Sequence, residues 1–179
     1  GNATIDPKKC ISYLSYFGEG ITPLEIREAM GMYVYGCDRC QNVCPRNAAW
    51  LAKDLPMNQK VLKKAEAFKL SKLLHMDKPY FEASIWPHMF YMSYDDIWRW
   101  KMNVARVMGN SLDACYIEDL IKAFQDNQDE RVKGMAAWAL GKIGSKKSKT
   151  ALKTFQAEAS GLVLDEINSA LETMDLPEA

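Results

Sequence analysis

The sequence predicts an all-α protein in two parts, a small irregular module followed by a short solenoid of stacked helix pairs. The second half of the 179-residue chain repeats itself, and within each copy the apolar residues recur at helical spacing. Residues 1–52 are instead rich in Gly, Tyr and Pro, and they hold four of the five cysteines. We therefore expect short helices and irregular backbone in residues 1–52 and regular helices towards the C-terminus.

The repeat is clearest in a motif whose two copies lie 32 residues apart, in which Arg99, Lys101, Ala105 and Gly109 recur as Arg131, Lys133, Ala137 and Gly141. One copy carries a continuous apolar stripe, formed by Val132, Met135, Ala136, Ala139, Leu140 and Ile143. A single unit cannot bury such a stripe, and about three stacked units are needed for stability. A third, fainter copy ends at Leu171. The pattern is similar to HEAT repeats, so we predict a HEAT-like α-solenoid over residues 94–179.

Two further helices are expected before the solenoid. Thr22, Pro23 and Gly31 mark the start and end of a short helix over residues 21–31. Residues 58–75 predict a lysine-rich helix, part of a connecting region that we place at residues 53–93. The tryptophans of the repeats, Trp98, Trp100 and Trp138, are expected to pack in the core and between repeats.

The cysteines of residues 1–52 follow the spacing of an iron–sulfur site. Cys37, Cys40 and Cys44 form a C-x2-C-x3-C-P run, which matches the second half of the bacterial 4Fe–4S pattern. The first cysteine of the full pattern would stand at Val34, so Cys10 is the expected substitute. Because the cysteine before the proline usually ligates another cluster, we predict Cys10, Cys37 and Cys40 on one cluster and Cys44 on a second. Both ligand sets are incomplete.

Other uses of these thiols remain open. Structural zinc normally takes two C-x2-C pairs, and only one is present here. Cys44 could instead close a single four-thiolate site, or the thiols could carry no metal. An odd number of cysteines in a chain of this length does not favour a disulfide scaffold. Cys115 is predicted to be a small buried apolar residue of a helix. Our preferred prediction is a ferredoxin-like cluster-binding module over residues 1–52.

Two segments of this module, Ile5-Asp6-Pro7-Lys8-Lys9-Cys10-Ile11-Ser12-Tyr13-Leu14 and Tyr35-Gly36-Cys37-Asp38-Arg39-Cys40-Gln41-Asn42-Val43-Cys44-Pro45-Arg46-Asn47, resemble the double-cluster region of epoxyqueuosine reductases. Those proteins are related to reductive dehalogenases, in which two 4Fe–4S clusters supply a cobalamin domain with electrons. The resemblance implies that upstream cysteines complete both clusters and that the catalytic, cobalamin-binding region also lies upstream. We interpret Gly1 as a residue left by tag removal, so the chain is expected to be a piece of a longer protein.

The repeats also match the family's pattern, in which the repeat section helps to hold a tRNA substrate and its first copy carries a basic run. In this chain acids and aromatic residues replace part of that run, so another substrate is the alternative. The candidates for nucleic-acid contact are Arg99, Lys101, Arg131 and Lys133. No Ser–His–Asp order and no H-E-x-x-H motif is present, so we identify no catalytic residue.

The chain carries 23 basic and 23 acidic residues, so no overall field points to nucleic acid or to a membrane. No apolar run approaches the roughly 20 residues needed to span a bilayer, and metal-binding thiols survive best in a reducing cytosol. We therefore expect a cytoplasmic protein without a membrane partner. The leading hypothesis is an iron–sulfur electron-relay segment of a larger reductase. The alternative is a non-redox HEAT-repeat interaction module with a zinc site or unligated cysteines.

Overall fold

The computed structural model describes residues 6–175; Gly1 and the rest of residues 1–5, together with 176–179, lie outside the described residues. The α-helices are α1 (Ile11–Phe17), α2 (Leu24–Arg27), α3 (Arg39–Asn42), α4 (Ala48–Leu51), α5 (Gln59–Ala65), α6 (Leu70–Leu74), α7 (Lys78–Tyr80), α8 (Ile97–Ser111), α9 (Ile117–Asp126), α10 (Glu130–Ile143), α11 (Lys146–Gln156) and α12 (Gly161–Asp175). Short 3-10 turns and one π-helical turn (Phe81–Ile85) join them. The described residues form no strand, and the all-α prediction is confirmed.

The C-terminal helices stack in two layers. Helices α8, α10 and α12 lie side by side in one layer, with α10 in the middle, and α6, α9 and α11 cover one side of it. The predicted stripe of α10 is buried between its neighbours, from Val132 to Leu140. Trp100 and Trp138 are also buried, and Trp98 is partly buried and packs against the core. These observations confirm the HEAT-like solenoid.

The recurring glycine of the repeat is explained by how closely the inner helices approach one another. A Cβ atom at Gly141 would lie 2.6 Å from the Cβ atom of Ala170 on α12 and 2.9 Å from its Cα atom. Gly109 meets Ala139 on α10 in the same way, with 2.9 Å to the Cβ atom. The period of 32 residues therefore places a glycine at each close contact between neighbouring inner helices.

We expect Gly141→Ala to destabilise the protein by about 1–3 kcal/mol, because the added methyl group has no space against α12. By helix propensity alone the same change would stabilise the helix by about 1 kcal/mol. The sign of the change in the free energy of unfolding, measured by urea denaturation, therefore separates the two effects. A stabilised variant would show that α10 and α12 do not pack as closely as described.

The prediction of one continuous helix over residues 58–75 is wrong. Helix α5 lies exposed on the surface, and the backbone becomes extended at Lys69, with ψ at 137°. The hydroxyl of Tyr80 donates to the carbonyl of Ala67 at 2.8 Å and satisfies it at the break. The chain changes direction there because α6 buries Leu73 and Leu74 in the solenoid core. The helix propensity of residues 58–75 does not reflect this need to bury Leu73 and Leu74.

The connecting region also contributes to the core, since Phe81 and Ile85 of the π-helical turn are fully buried. The boundaries predicted at residues 52/53 and 93/94 stay predictions. Among the helices of residues 6–175, none combines the length and apolar character that crossing a membrane requires.

Candidate metal centre

The structure brings together the two segments that carry the predicted ligands. Cys10 immediately precedes α1, and Cys37 lies in the loop before α3. The hydroxyl of Ser12 donates to the carbonyl of Cys37 at 3.5 Å, and the amide of Gly36 donates to the hydroxyl of Ser15 at 3.1 Å. Ser15 is itself completely buried. One face of α1 therefore holds the backbone of the cysteine loop.

Gly36 is required by the conformation of this loop. Its φ is +80°, in the left-handed region that favours glycine. A Cβ atom there would also lie 3.4 Å from the hydroxyl of Tyr16. The turn directs the chain into Cys37 while the preceding residues stay packed on α1.

The four cysteines suit iron–sulfur ligation. All are free thiols; Cys10, Cys37 and Cys44 are partly exposed and Cys40 is exposed. The amide of Arg39 donates to the sulfur of Cys37 at 3.5 Å, and such amide–sulfur bonds tune cluster potentials. Within residues 6–175, no three His, Cys, Asp or Glu side chains converge on a single-ion position. A 4Fe–4S cluster does not require its ligands to converge on one point, because each thiolate binds a different iron atom.

A polar stripe on α8 attaches the cysteine module to the solenoid. Arg99, Asn103, Arg106 and Asn110 follow one another at helical spacing along one face of the helix. Their side chains donate to the backbone carbonyls of Gly18, Ser15, Gly31, Tyr33 and Arg27 at 2.6–3.2 Å. The irregular backbone between the cysteines thus receives from α8 the hydrogen bonds that regular secondary structure would otherwise supply.

A buried ion pair makes a second attachment. Arg27 is only 2% exposed, and its guanidinium forms a bidentate pair with Glu166 of α12 at 2.6 and 2.7 Å. Its Nε atom donates to the carbonyl of Thr22 at 2.7 Å, and the group lies 5.5 Å from the Trp138 ring centroid. The segment between the cysteines therefore covers part of the inner helices.

An aromatic cavity of about 1000 Å³ opens beside the cysteine loop. Its lining includes Tyr13, Tyr16, Tyr35, Tyr91, Asp96 and Arg99. Burial, and then the neighbouring Tyr91, raises the pKa of Tyr16 to about 12, and burial likewise raises the pKa of Tyr35. Both phenols therefore stay neutral at physiological pH and add no negative charge beside the thiolates.

The structure brings two of the four nucleic-acid candidates together at one tryptophan. Arg99 and Arg131 lie against Trp98, with guanidinium carbons 4.4 and 3.3 Å from its ring centroid. Arg131 also forms a bidentate pair with Asp129 at 2.6 and 2.9 Å, and Arg99 pairs with Asp96. The two lysines have other neighbours. Burial lowers the pKa of Lys101, and the Nζ atom of Lys133 lies 5.7 Å from the Phe124 ring centroid.

Sequence reasoning was wrong about Cys115, which is exposed. It lies on the short turn that leads into α9 instead of within the helix, and its amide donates to the capping carboxylate of Asp113 at 2.9 Å. Sequence reasoning also missed Arg27 and Arg106. The available signal was an arginine within an otherwise apolar stretch of α8, at helical spacing from Asn103 and Asn110.

Comparison with known proteins agrees with this geometry. Residues 1–47 match the family described as 4Fe–4S double cluster binding domain, and residues 92–172 match HEAT repeats. An epoxyqueuosine reductase of Bacillus anthracis is 33% identical over 177 residues, which cover 95% of this chain and 44% of that protein. An uncharacterised protein of Geobacillus stearothermophilus is 30% identical over 95% of this chain and 77% of its own length.

Solved structures lead to the same family. An epoxyqueuosine reductase in complex with an epoxyqueuosine-modified tRNA-Tyr stem loop matches with a TM-score of 0.77 and 25% identity, over 96% of this chain and 45% of that one. The Bacillus subtilis enzyme matches with a TM-score of 0.77 and 26% identity, over 94% of this chain and 45% of its own. The chain spans less than half the length of these reductases. It belongs to the epoxyqueuosine reductase-like family and corresponds to the C-terminal region in which a double 4Fe–4S cluster domain precedes HEAT repeats.

Proposed function

We propose that this chain is the electron-relay segment of a larger cytoplasmic reductase of the epoxyqueuosine reductase type. The observation that carries the proposal is the junction of α1 with the cysteine loop. At that junction the helix that follows Cys10 is hydrogen-bonded to the loop that leads to Cys37, Cys40 and Cys44. Within the loop, the amide of Arg39 donates to the sulfur of Cys37. Free thiols in partly exposed positions are typical of a reducing compartment, which supports the cytoplasm.

In this proposal Cys10, Cys37 and Cys40 ligate one 4Fe–4S cluster and Cys44 ligates a second, with the remaining ligands from an upstream region. Such clusters, when bound, accept and release single electrons. The contribution of this chain is to hold the thiolates, donate amide hydrogen bonds to sulfur, and keep the loop rigid through α1 and α8. Cobalamin, if used, belongs to the upstream region.

The partner that we propose for the module is that upstream catalytic region. Large apolar side chains lie exposed next to Cys44 and in the residues that follow it: Val43 is 80%, Trp50 67%, Leu55 69% and Met57 70% exposed. Exposed apolar residues in such a run mark interaction surfaces. Because Cys44 adjoins the run, a region that supplies the remaining cluster ligands would reach it directly.

The proposed function also includes a contact with tRNA. The relative solved with a tRNA stem loop supports it, and lysine and arginine are the usual partners of phosphate. Arg99, Lys101, Arg131 and Lys133 remain the proposed contacts. Arg99 and Arg131 already pair with carboxylates, so a phosphate would have to compete with Asp96 and Asp129 for them.

Anaerobic reconstitution of the natural full-length polypeptide with iron and sulfide tests the relay function. We expect brown protein with a broad absorption at about 400 nm that dithionite bleaches, which is typical of thiolate-ligated clusters. Colourless protein that holds about one equivalent of zinc would support the alternative, a non-redox interaction module. Protein that binds neither iron nor zinc would reject the relay function and leave a helical scaffold without a metal site.

A further inference from the structure

Arg106 of α8 is a buried charged residue with no role in the proposed function so far described. The side chain is completely buried, although it belongs to one of the most hydrophilic residue types. Its Nη1 atom donates to the carbonyl of Gly31 at 3.0 Å, and its Nη2 atom donates to the carbonyl of Tyr33 at 2.6 Å. The Nε atom is buried without a hydrogen-bond partner.

No carboxylate of residues 6–175 forms an ion pair with Arg106. In this respect it differs from Arg27, the other buried arginine. Arg27 is 2% exposed, but Glu166 neutralises it at 2.6 Å. Burial lowers the pKa of Arg106 to about 10, so the guanidinium is still charged at neutral pH. A buried charge is costly unless it is paired, so a counter-ion is expected close by.

The position of Arg106 indicates which anion that is. Both of its acceptor carbonyls belong to residues 31–33, a few residues before Cys37. A 4Fe–4S cluster with four thiolates carries net negative charge, and reduction adds one electron to it. The guanidinium of Arg39 also lies near this segment, 5.5 Å from the Tyr33 ring centroid, but Arg39 is exposed and its charge is screened by solvent.

We propose that Arg106 is the buried counter-ion of the cluster ligated by Cys10, Cys37 and Cys40, and that it raises the reduction potential of this cluster. The inference rests on the proposed function, because it requires a cluster at these thiolates. A positive charge in a low-dielectric interior stabilises the reduced, more negative state more than the oxidised state. Arg106 acts through the field and is a positioning residue, with no contact to substrate.

The test is the midpoint potential of the reconstituted full-length polypeptide, followed by spectroelectrochemistry. We expect Arg106→Gln to make reduction at least about tenfold less favourable, which is about 59 mV for one electron. Arg106→Lys keeps the charge and should stay close to the wild type. Asn110→Ala is the matched control, because Asn110 donates to the carbonyls of Arg27 and Gly31 at 2.9 Å without carrying a charge.

Asn110→Asp tests the same idea with Arg106 intact. Asn110 and Arg106 share the carbonyl of Gly31, so an aspartate there would lie beside the guanidinium and neutralise it. The potential should then fall below that of Asn110→Ala. If Arg106→Gln does not fold, an equal potential in Asn110→Asp and Asn110→Ala would overturn the inference.

Two results would overturn the inference while leaving the relay function in place. One is a cluster whose potential is the same in Arg106→Gln and the wild type. The other is an equal fall in Arg106→Gln and Asn110→Ala, which would indicate a structural effect of the lost hydrogen bonds. A polypeptide that takes up no iron at all would reject both the inference and the proposed function.

Discussion

Cys37→Ala in the natural full-length polypeptide is expected to lose one whole cluster, about four iron atoms, and to retain the other. Cys44→Ala should lose a similar amount of iron, but from the second cluster. Because Cys37 and Cys40 are proposed to ligate the same cluster, the double variant of these two should lose no more iron than either single variant. The double variant of Cys37 and Cys44 should lose nearly all of it. Iron and acid-labile sulfide analysis after anaerobic reconstitution measures these amounts.

Cys115→Ala is the matched control for these variants, since Cys115 is an exposed free thiol far along the chain from the cysteine loop. Its iron content should equal that of the wild type. A double variant of Cys37 and Cys44 that loses no more iron than either single variant would instead favour one site that all the thiols share. Full iron in Cys37→Ala would remove Cys37 from the ligand set.

Glu166→Ala should cost about 3–5 kcal/mol of folding free energy, because it leaves the guanidinium of Arg27 buried without its partner. The pair joins the segment between the cysteines to α12, with both oxygens of the carboxylate engaged at 2.6 and 2.7 Å. Urea denaturation of the 179-residue chain, followed by circular dichroism, measures the change. We expect this loss of stability to be larger than that of Gly141→Ala.

Glu28→Ala provides the comparison, because Glu28 also joins this segment to the solenoid, through Lys142 at 2.7 Å. The carboxylate of Glu28 is 68% exposed, so its loss should cost less than about 1 kcal/mol. Replacing Arg27 and Glu166 together by methionine and leucine should restore much of the stability, since apolar packing often substitutes for a buried pair. Equal costs for Glu28→Ala and Glu166→Ala would show that Arg27 reaches solvent.

The helical repeat and the cysteine spacing were predictable because both are local patterns. Residues three and four apart on α10 share a face in any helix, so its apolar stripe indicated burial whatever its partners were. The break at Lys69 was not predictable in the same way. It depends on Tyr80, which reaches back to the carbonyl of Ala67, and on the burial of Leu73 against α8.

The order of residues along the chain was sufficient to identify thiolates suited to iron, a family, and a stack of helices with a recurring glycine. It did not show that Arg99, a proposed phosphate contact, pairs with Asp96 and donates to a backbone carbonyl of the module. Nor did it show that Arg106 would be buried behind the cysteine loop without a carboxylate. A charged side chain has the same identity in solvent and in the core, and only the packing of distant segments determines its dielectric surroundings and its partners.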